Sequence, residues 1–314
     1  VITIPTGPGC ERNIELLHRN VALQNRLGID SRVISAQELR ELQPFVRVDD
    51  IAAAAYEPAS GYVDAVAATR SMALAARRAG TLIQEGCRVR RIVTDGTRVA
   101  GIKTDDGFVP AGTVICAAGP WSTSLLATAG VTVPITALRV QIAIVHRPLD
   151  LDDPHFVYID TAAGMFCRPW GPGRTLVGVA GGDQHDAVDP NQYDERNDPA
   201  YPAMAIAAIS RRIPAMAGAT YLHGHAGLYD MTPDAHPIIG STGVDGLYLA
   251  AGFSGAGFKK GPAVGESLAE LVVSGRSTTV DLSPFRLDRF SSDAWQRPWS
   301  DTEYVFPSDF GHKF

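Results

Sequence analysis

The sequence predicts an α/β protein of two interleaved regions, and three stretches carry that prediction. Residues 247–274, "LYLAAGFSGAGFKKGPAVGESLAELVVS", read as a strand, a glycine-rich turn and a helix. Residues 113–126, "TVICAAGPWSTSLL", read as a buried strand that shrinks to Ala117, Ala118 and Gly119 at its carboxyl end. Small residues there let a large ligand approach the backbone, and in open α/β sheets ligands lie outside the carboxyl ends of strands. Between Pro134 and Ala180, strands follow one another with turns and no helices, so a mostly antiparallel sheet is expected there.

The remaining elements follow in order. The chain starts in a strand. Ile14, Leu17 and Val21 have helical spacing in a segment that stops at Gly28. Ser35-x-x-Glu38 is a capping box for a short helix ending before Pro44. Asp64 is the N-cap of a helix that stops at Gly80. "RVRRIV", "RVAGIK" and "TVICAAG" are strands, with turns at Asp95-Gly96 and Asp106-Gly107. "RVQIAIVH", "HFVYID", "GMFCRP" and "RTLVGVA" are strands, and "PAMAIAAISRRI" is a helix closed by Pro214.

Composition excludes several classes. A net charge of −6 offers no footprint for nucleic acid or an anionic membrane. Cys10, Cys87, Cys116 and Cys167 are scattered without C-x-x-C, which suits a reducing cytoplasm and argues against a disulfide framework or zinc site. No apolar run reaches membrane-spanning length. His223-x-His225 with His236, and Asp183 with His185 and Asp186, lack metal-site spacing, so solvated loop histidines are expected and no metal. G-x-S-x-G is absent, which leaves Ser122 and Ser254 without a hydrolase context.

The glycine turn attracts anions, because free N–H groups and the helix dipole point at it, and Lys259 adds a positive charge. Gly255-x-Gly257 lacks the full G-x-G-x-x-G spacing and is followed by no convincing second parallel strand. It therefore reads as the last strand–helix of a nucleotide fold.

"TPDAHPIIG", "GLYLAAGFSGAGFKKGPAVGE", "ICAAGPWS", "DLSPFRLDRF" and "GYVDAVAATRSMALAARRAG" together resemble the FAD-dependent amino-acid and amine oxidoreductases of the D-amino-acid oxidase superfamily, nearest the sarcosine-oxidase-like branch. The resemblance runs to about Phe290. It implies an FAD-binding Rossmann-like domain of the glutathione-reductase type at 62–133 and 227–290, interleaved with an α+β substrate domain on a large mixed or antiparallel sheet at 1–61 and 134–226, with a tail at 291–314. It implies that flavin lies against the turn formed by Gly252, Ser254, Gly255, Ala256, Gly257, Phe258 and Lys259, with the Gly255, Ala256 and Gly257 amides facing N1 and O2. Val89 matches the strand position that meets adenine, and Ala118, Gly119 and Trp121 the close approach to the nucleotide. Tyr229 and Lys259 are the implied catalytic, substrate-facing pair.

Three departures follow from the same resemblance. The family opens with a strand and G-x-G-x-x-G, whereas this sequence begins at Val1 and enters the pattern about 80 residues late, so its N-terminus and pyrophosphate cradle are expected to be missing. Gly227 stands where sarcosine oxidase links flavin through cysteine, so FAD is expected to be non-covalent there. Leu176 and Ala180 stand where that enzyme has lysine and histidine. Two function classes are open. One is an FAD-dependent oxidoreductase acting on the C–N bond of a small amino acid or secondary amine, with oxygen or a redox partner as acceptor, monomeric or oligomeric. The other is a non-catalytic remnant or subunit that serves as a binding or scaffolding module.

Overall fold

The computed structural model describes residues 1–149, 151, 154–179 and 187–291. The chain begins with β1 (Ile2–Pro5), α1 (Cys10–Arg26), β2 (Arg32–Ile34), α2 (Ala36–Leu42), β3 (Ile51–Tyr56) and α3 (Ala65–Arg78). A strand group follows: β4 (Val89–Asp95), β5 (Arg98–Thr104), β6 (Gly107–Pro110) and β7 (Val114–Cys116), then the short α4 (Ser122–Ala127). Next come β8 (Thr136–His146), β9 (Tyr158–Asp160), β10 (Met165–Pro169), β11 (Arg174–Val179), α5 (Tyr201–Arg212) and β12 (Thr220–Met231). The last elements are β13 (Ile238–Ser241), β14 (Leu247–Ala251) and α6 (Gly257–Ser274).

Local chemistry sets several boundaries. Ser35 and Glu38 form both arms of the capping box that starts α2. Asp64 accepts from the Ala67 N–H at the start of α3 (2.8 Å). Gly275, at φ +75°, ends α6 in the left-handed region.

The strands form three sheets. The largest has eight strands in the order β12-β8-β11-β10-β9-β1-β3-β2, antiparallel except where β1 pairs with β9. Two three-stranded sheets, β13-β14-β7 and β4-β5-β6, lie in the other part of the chain. The helix-free stretch after Pro134 thus supplies the middle of one sheet, as its turn rhythm requires.

One face of the large sheet is packed by α5. Ala205, Ala208 and Ile209 meet Ala143, Val145, Cys167 and Val177 in a dry cluster. Beside it, Arg212 is fully buried against Asp160 (Nε–Oδ2 2.5 Å) and reaches Asp50 (2.8 Å). Thr3 Oγ1 also donates to Asp160 (2.8 Å), so β1, β9 and α5 are pinned at one point.

Five strands go beyond the expectations: β2, β3, β6, β12 and β13. The most consequential is β12, an edge strand of 12 residues on which His223 and His225 sit exposed, not in a loop. Its sequence, "TYLHGHAGLYDM", has little apolar alternation because only the β8 side covers it, and a bulge between Tyr221 and His223 breaks the pattern further. β12 also continues through Gly227, so the expected division at 227 falls inside a strand. Ala180, Asp183, His185, Asp186 and the tail beyond Ser291 lie outside the described residues.

Candidate cofactor and substrate site

β14 pairs in parallel with β7, Leu249 opposite Cys116, so the two strands end side by side. β14 runs into the glycine turn and β7 into Ala117-Ala118-Gly119. The two stretches singled out in the sequence therefore open onto one edge, the place where parallel sheets receive ligands.

The turn is held by the end of β12. The Gly252 N–H donates to Asp230 Oδ2 (2.6 Å) and the Ser254 N–H to the Asp230 carbonyl (3.0 Å). Ser254 itself has φ +52°, a strained setting for a residue with a side chain, and its buried hydroxyl accepts from the Thr232 N–H (3.2 Å). Gly255 is required twice over. Its φ is +80°, and a Cβ there would stand 2.8 Å from the Tyr229 ring. Burial raises the Tyr229 pKa, so the phenol stays protonated and keeps a hydrogen to donate.

The Ala256 N–H donates to the Phe253 carbonyl (2.9 Å), which removes it from the expected trio of amides. Gly255 and Gly257 flank it at the N-terminus of α6. Phe258 and Lys259 are exposed in the first turn of that helix. Lys260, which the sequence reading passed over, is half-buried, and burial together with the neighbouring Lys259 lowers its pKa. Gly227 lies on β12 opposite Val140, with nothing within 4 Å of the position a Cβ would take.

The β7 side forms an open cavity of about 970 Å³. Val89, Ala118, Gly119 and Trp121 all line it, together with Arg88, Arg90 and Asn191. Trp121 Nε1 donates to Asn191 Oδ1 (3.0 Å), tying this rim to the segment before α5. Arg139 fixes that segment by donating to the Asp194 carbonyl (2.8 Å) and the Arg196 carbonyl (2.6 Å).

Two further residues were not singled out. Asp234 of "TPDAHP" is buried and takes a two-pronged contact from Arg289 of "DLSPFRLDRF" (2.8 and 3.2 Å). It also accepts from the Thr232 hydroxyl (3.1 Å) and the His236 N–H (3.0 Å). Both residues lie in quoted motifs, yet their 55-residue separation gave no local sign that they pair. Among the described residues, no group of three metal-ligating side chains occurs.

A sequence model of the family described as DAO, FAD dependent oxidoreductase, matches residues 5–271. The chain belongs to this family. The 4-methylaminobutanoate oxidase (formaldehyde-forming) of Paenarthrobacter nicotinovorans is 32% identical over 285 residues, which are 88% of this chain and 34% of the relative. The beta subunit of sarcosine oxidase from an Arthrobacter species is 27% identical over 87% of this chain and 67% of its own length. The chain thus spans between about a third and two thirds of these relatives. Among solved structures, L-proline dehydrogenase from P. horikoshii superposes with a TM-score of 0.82 at 26% identity, covering 92% of this chain and 75% of that one. Glycine oxidase from Geobacillus kaustophilus shares the fold, with a TM-score of 0.75 at 24% identity and coverage of 91% and 73%. The α/β FAD-binding fold and flavoprotein family read from the sequence are therefore correct.

The residues present fit a dinucleotide flavin. The strand ends carry small residues, a Cβ added at Gly119 would meet nothing within 4 Å, and the N-terminus of α6 lies at the glycine turn. No helix among the described residues is long and apolar enough to cross a membrane.

Proposed function

We propose that this protein oxidises the C–N bond of a small amino acid or secondary amine, with FAD held non-covalently at the Gly227 position. The supporting observation is the shared edge: the Tyr229–Gly255 contact and the Ala118–Gly119–Trp121 rim lie at the ends of two paired strands. Residues 62–133 and 227–290 are assigned to the cofactor region, and 1–61 and 134–226 to the substrate region. When bound, FAD supplies a hydride acceptor, which needs no acid–base dyad from the protein.

The chain's own groups bind and orient. Val89 and Ala118 to Trp121 line the nucleotide cavity. The Gly255 and Gly257 amides and the α6 N-terminus favour the negative charge that accompanies reduction. Protonated Tyr229 donates one hydrogen bond to substrate, and Lys259 adds a cation at the same turn. Leu176 is buried and apolar in this structure. A cation near reduced flavin stabilises the charge built up as oxygen takes an electron, and leucine provides none. Electrons are therefore assigned to an acceptor other than oxygen.

The test uses the full-length protein as its gene encodes it. A yellow protein is expected. Anaerobic amine should bleach the flavin band, and air-saturated buffer should restore it slowly, with Leu176→Lys speeding the return. A colourless folded protein overturns the flavoenzyme reading and favours the scaffolding module. Prompt reoxidation with stoichiometric peroxide overturns the choice of acceptor.

A further inference from the structure

Arg147 stands at the far end of the large sheet from the glycine turn. β8 leaves the Tyr229 row at Leu138, and Arg147 lies about 30 Å of strand beyond it. Ala143 and Val145 pack on the α5 side, and Arg147, two residues past Val145, continues on that face. Its N–H donates to the Gly173 carbonyl (2.8 Å), which holds it beside the start of β11. Thr175 stands opposite Val145 and is therefore its diagonal neighbour. His155 joins the same corner, its Nε2 lying 2.8 Å from Thr175 Oγ1.

The Arg147 side chain is charged and buried but not paired. The residue is 7% exposed. Among the described residues, no carboxylate comes within 4.0 Å of it. Its guanidinium makes one hydrogen bond, from Nη1 to the Arg174 carbonyl (3.3 Å). That contact is long, and the same carbonyl already accepts from the Trp170 N–H (2.8 Å). Nε is sealed from solvent without a partner, whereas Nη2, also without a partner, is not sealed. Burial is the main cause that lowers the His155 pKa to about 4; the Phe156 carbonyl opposes it, and the Arg147 charge lowers it further, so the two basic groups are close enough to repel. Arg174, opposite His146, also has no carboxylate within 4.0 Å among the described residues. Taking a charge out of water without a counter-charge is costly. A guanidinium with Nε and Nη2 both free presents the edge whose two N–H groups match two oxygens of one oxyanion.

We propose that Arg147 anchors a second ligand site, which takes a small oxyanion: the carboxylate or phosphate group of an effector, with two of its oxygens along the Nε–Nη2 edge. The occupant enters from the Nη2 side and supplies the counter-charge that the described residues do not. It clamps the end of β8 to the turn between β10 and β11. The site lies at the other end of β8 from Tyr229 and on the other sheet face, so it stands or falls apart from the amine-oxidising reading. Asp150, Asp152 and Asp153 lie outside the described residues, and a carboxylate from among them is the rival occupant.

The full-length protein is titrated with sodium phosphate and, separately, with sodium acetate, against sodium chloride at equal ionic strength, with and without added FAD. Calorimetry and the rise in Tm report binding. Saturable binding beyond the chloride baseline is expected whether or not FAD is present. Tighter phosphate would identify a phosphate-bearing effector, and tighter acetate a carboxylate-bearing one. Arg147→Gln should weaken the preferred anion by about 10- to 100-fold. Arg147→Lys, which keeps the charge but loses the fork, should fall between, and circular dichroism verifies that both variants fold. A second readout needs no variant: crystals of the unaltered protein soaked in arsenate should show an anomalous peak against the Nε–Nη2 edge. Binding no stronger than that of chloride, an affinity unchanged in Arg147→Gln, or arsenate found only elsewhere overturns the site. So does anion binding that appears only after Asp150→Asn, Asp152→Asn and Asp153→Asn are combined, because the chain's own carboxylate then fills the place.

Discussion

The two helices α5 and α3 are of similar length but have opposite surroundings. Five residues of α5 are buried, including Arg212, and its apolar stripe closes the core of the large sheet. α3 buries none, and Val66, Met72 and Leu74 are each more than half exposed. Ile115 on the edge strand β7 is also 45% exposed. Both helices are amphipathic in sequence, so pattern alone does not say whether a stripe finds a partner within the chain. The substrate sheet is held by long-range burial, whereas α3 rests on its own capping and backbone bonds.

That contrast yields graded predictions. The largest effect is expected at the buried ion pair. Arg212→Met strands Asp160 without its cation and should cost about 3–5 kcal/mol in urea unfolding. A smaller loss would place the true fixed point of the sheet elsewhere.

Next comes a pH effect from the same core. His155 is buried, its Nδ1 donating to the Phe156 carbonyl (2.6 Å) and its Nε2 accepting from the Thr175 hydroxyl (2.8 Å). Burial is the main cause of its pKa falling from 6.5 to about 4. Between those values the unfolded chain binds more protons than the folded one, so stability drops as pH is lowered through the window. The integrated loss is about 3 kcal/mol. His155→Gln should flatten that part of the stability–pH curve, and a curve of unchanged slope would contradict the assignment.

The smallest effects should lie at α3. Leu74→Gln should change global stability by less than about 0.5 kcal/mol, because the side chain is already in water. Asp64→Ala should speed amide exchange across α3 without altering the global transition, whereas Ser35→Ala should cost about 1 kcal/mol globally. A global loss from either α3 change would mean that the helix is integrated more tightly than its exposure indicates.

The same division between local and distant chemistry governs what could be read in advance. The capping box at Ser35, the cap at Asp64 and the turn at Asp95-Gly96 are decided within a few residues, and each was legible. β12 was not, because β8 dictates its pairing from 80 residues away and its exposed histidines look like loop residues. In the site, the glycine turn and the Ala118–Gly119 strand end were plain. The ring that presses on Gly255 and the Asp234–Arg289 pair join distant segments, and no spacing rule announces them.

The glycine turn can be considered as a set of matched pairs. A Cβ at Gly252 would meet Thr232 at 2.4 Å, at Gly255 Tyr229 at 2.8 Å, and at Gly257 Phe253 at 2.9 Å. Trimming Tyr229 removes the steric bar at 255 but not the φ of +80°, which still demands glycine. The two members of that pair therefore differ in their freedom to drift. The turn is the fixed member of the pair, and the strand beside it is the side from which a designer can reshape the chamber.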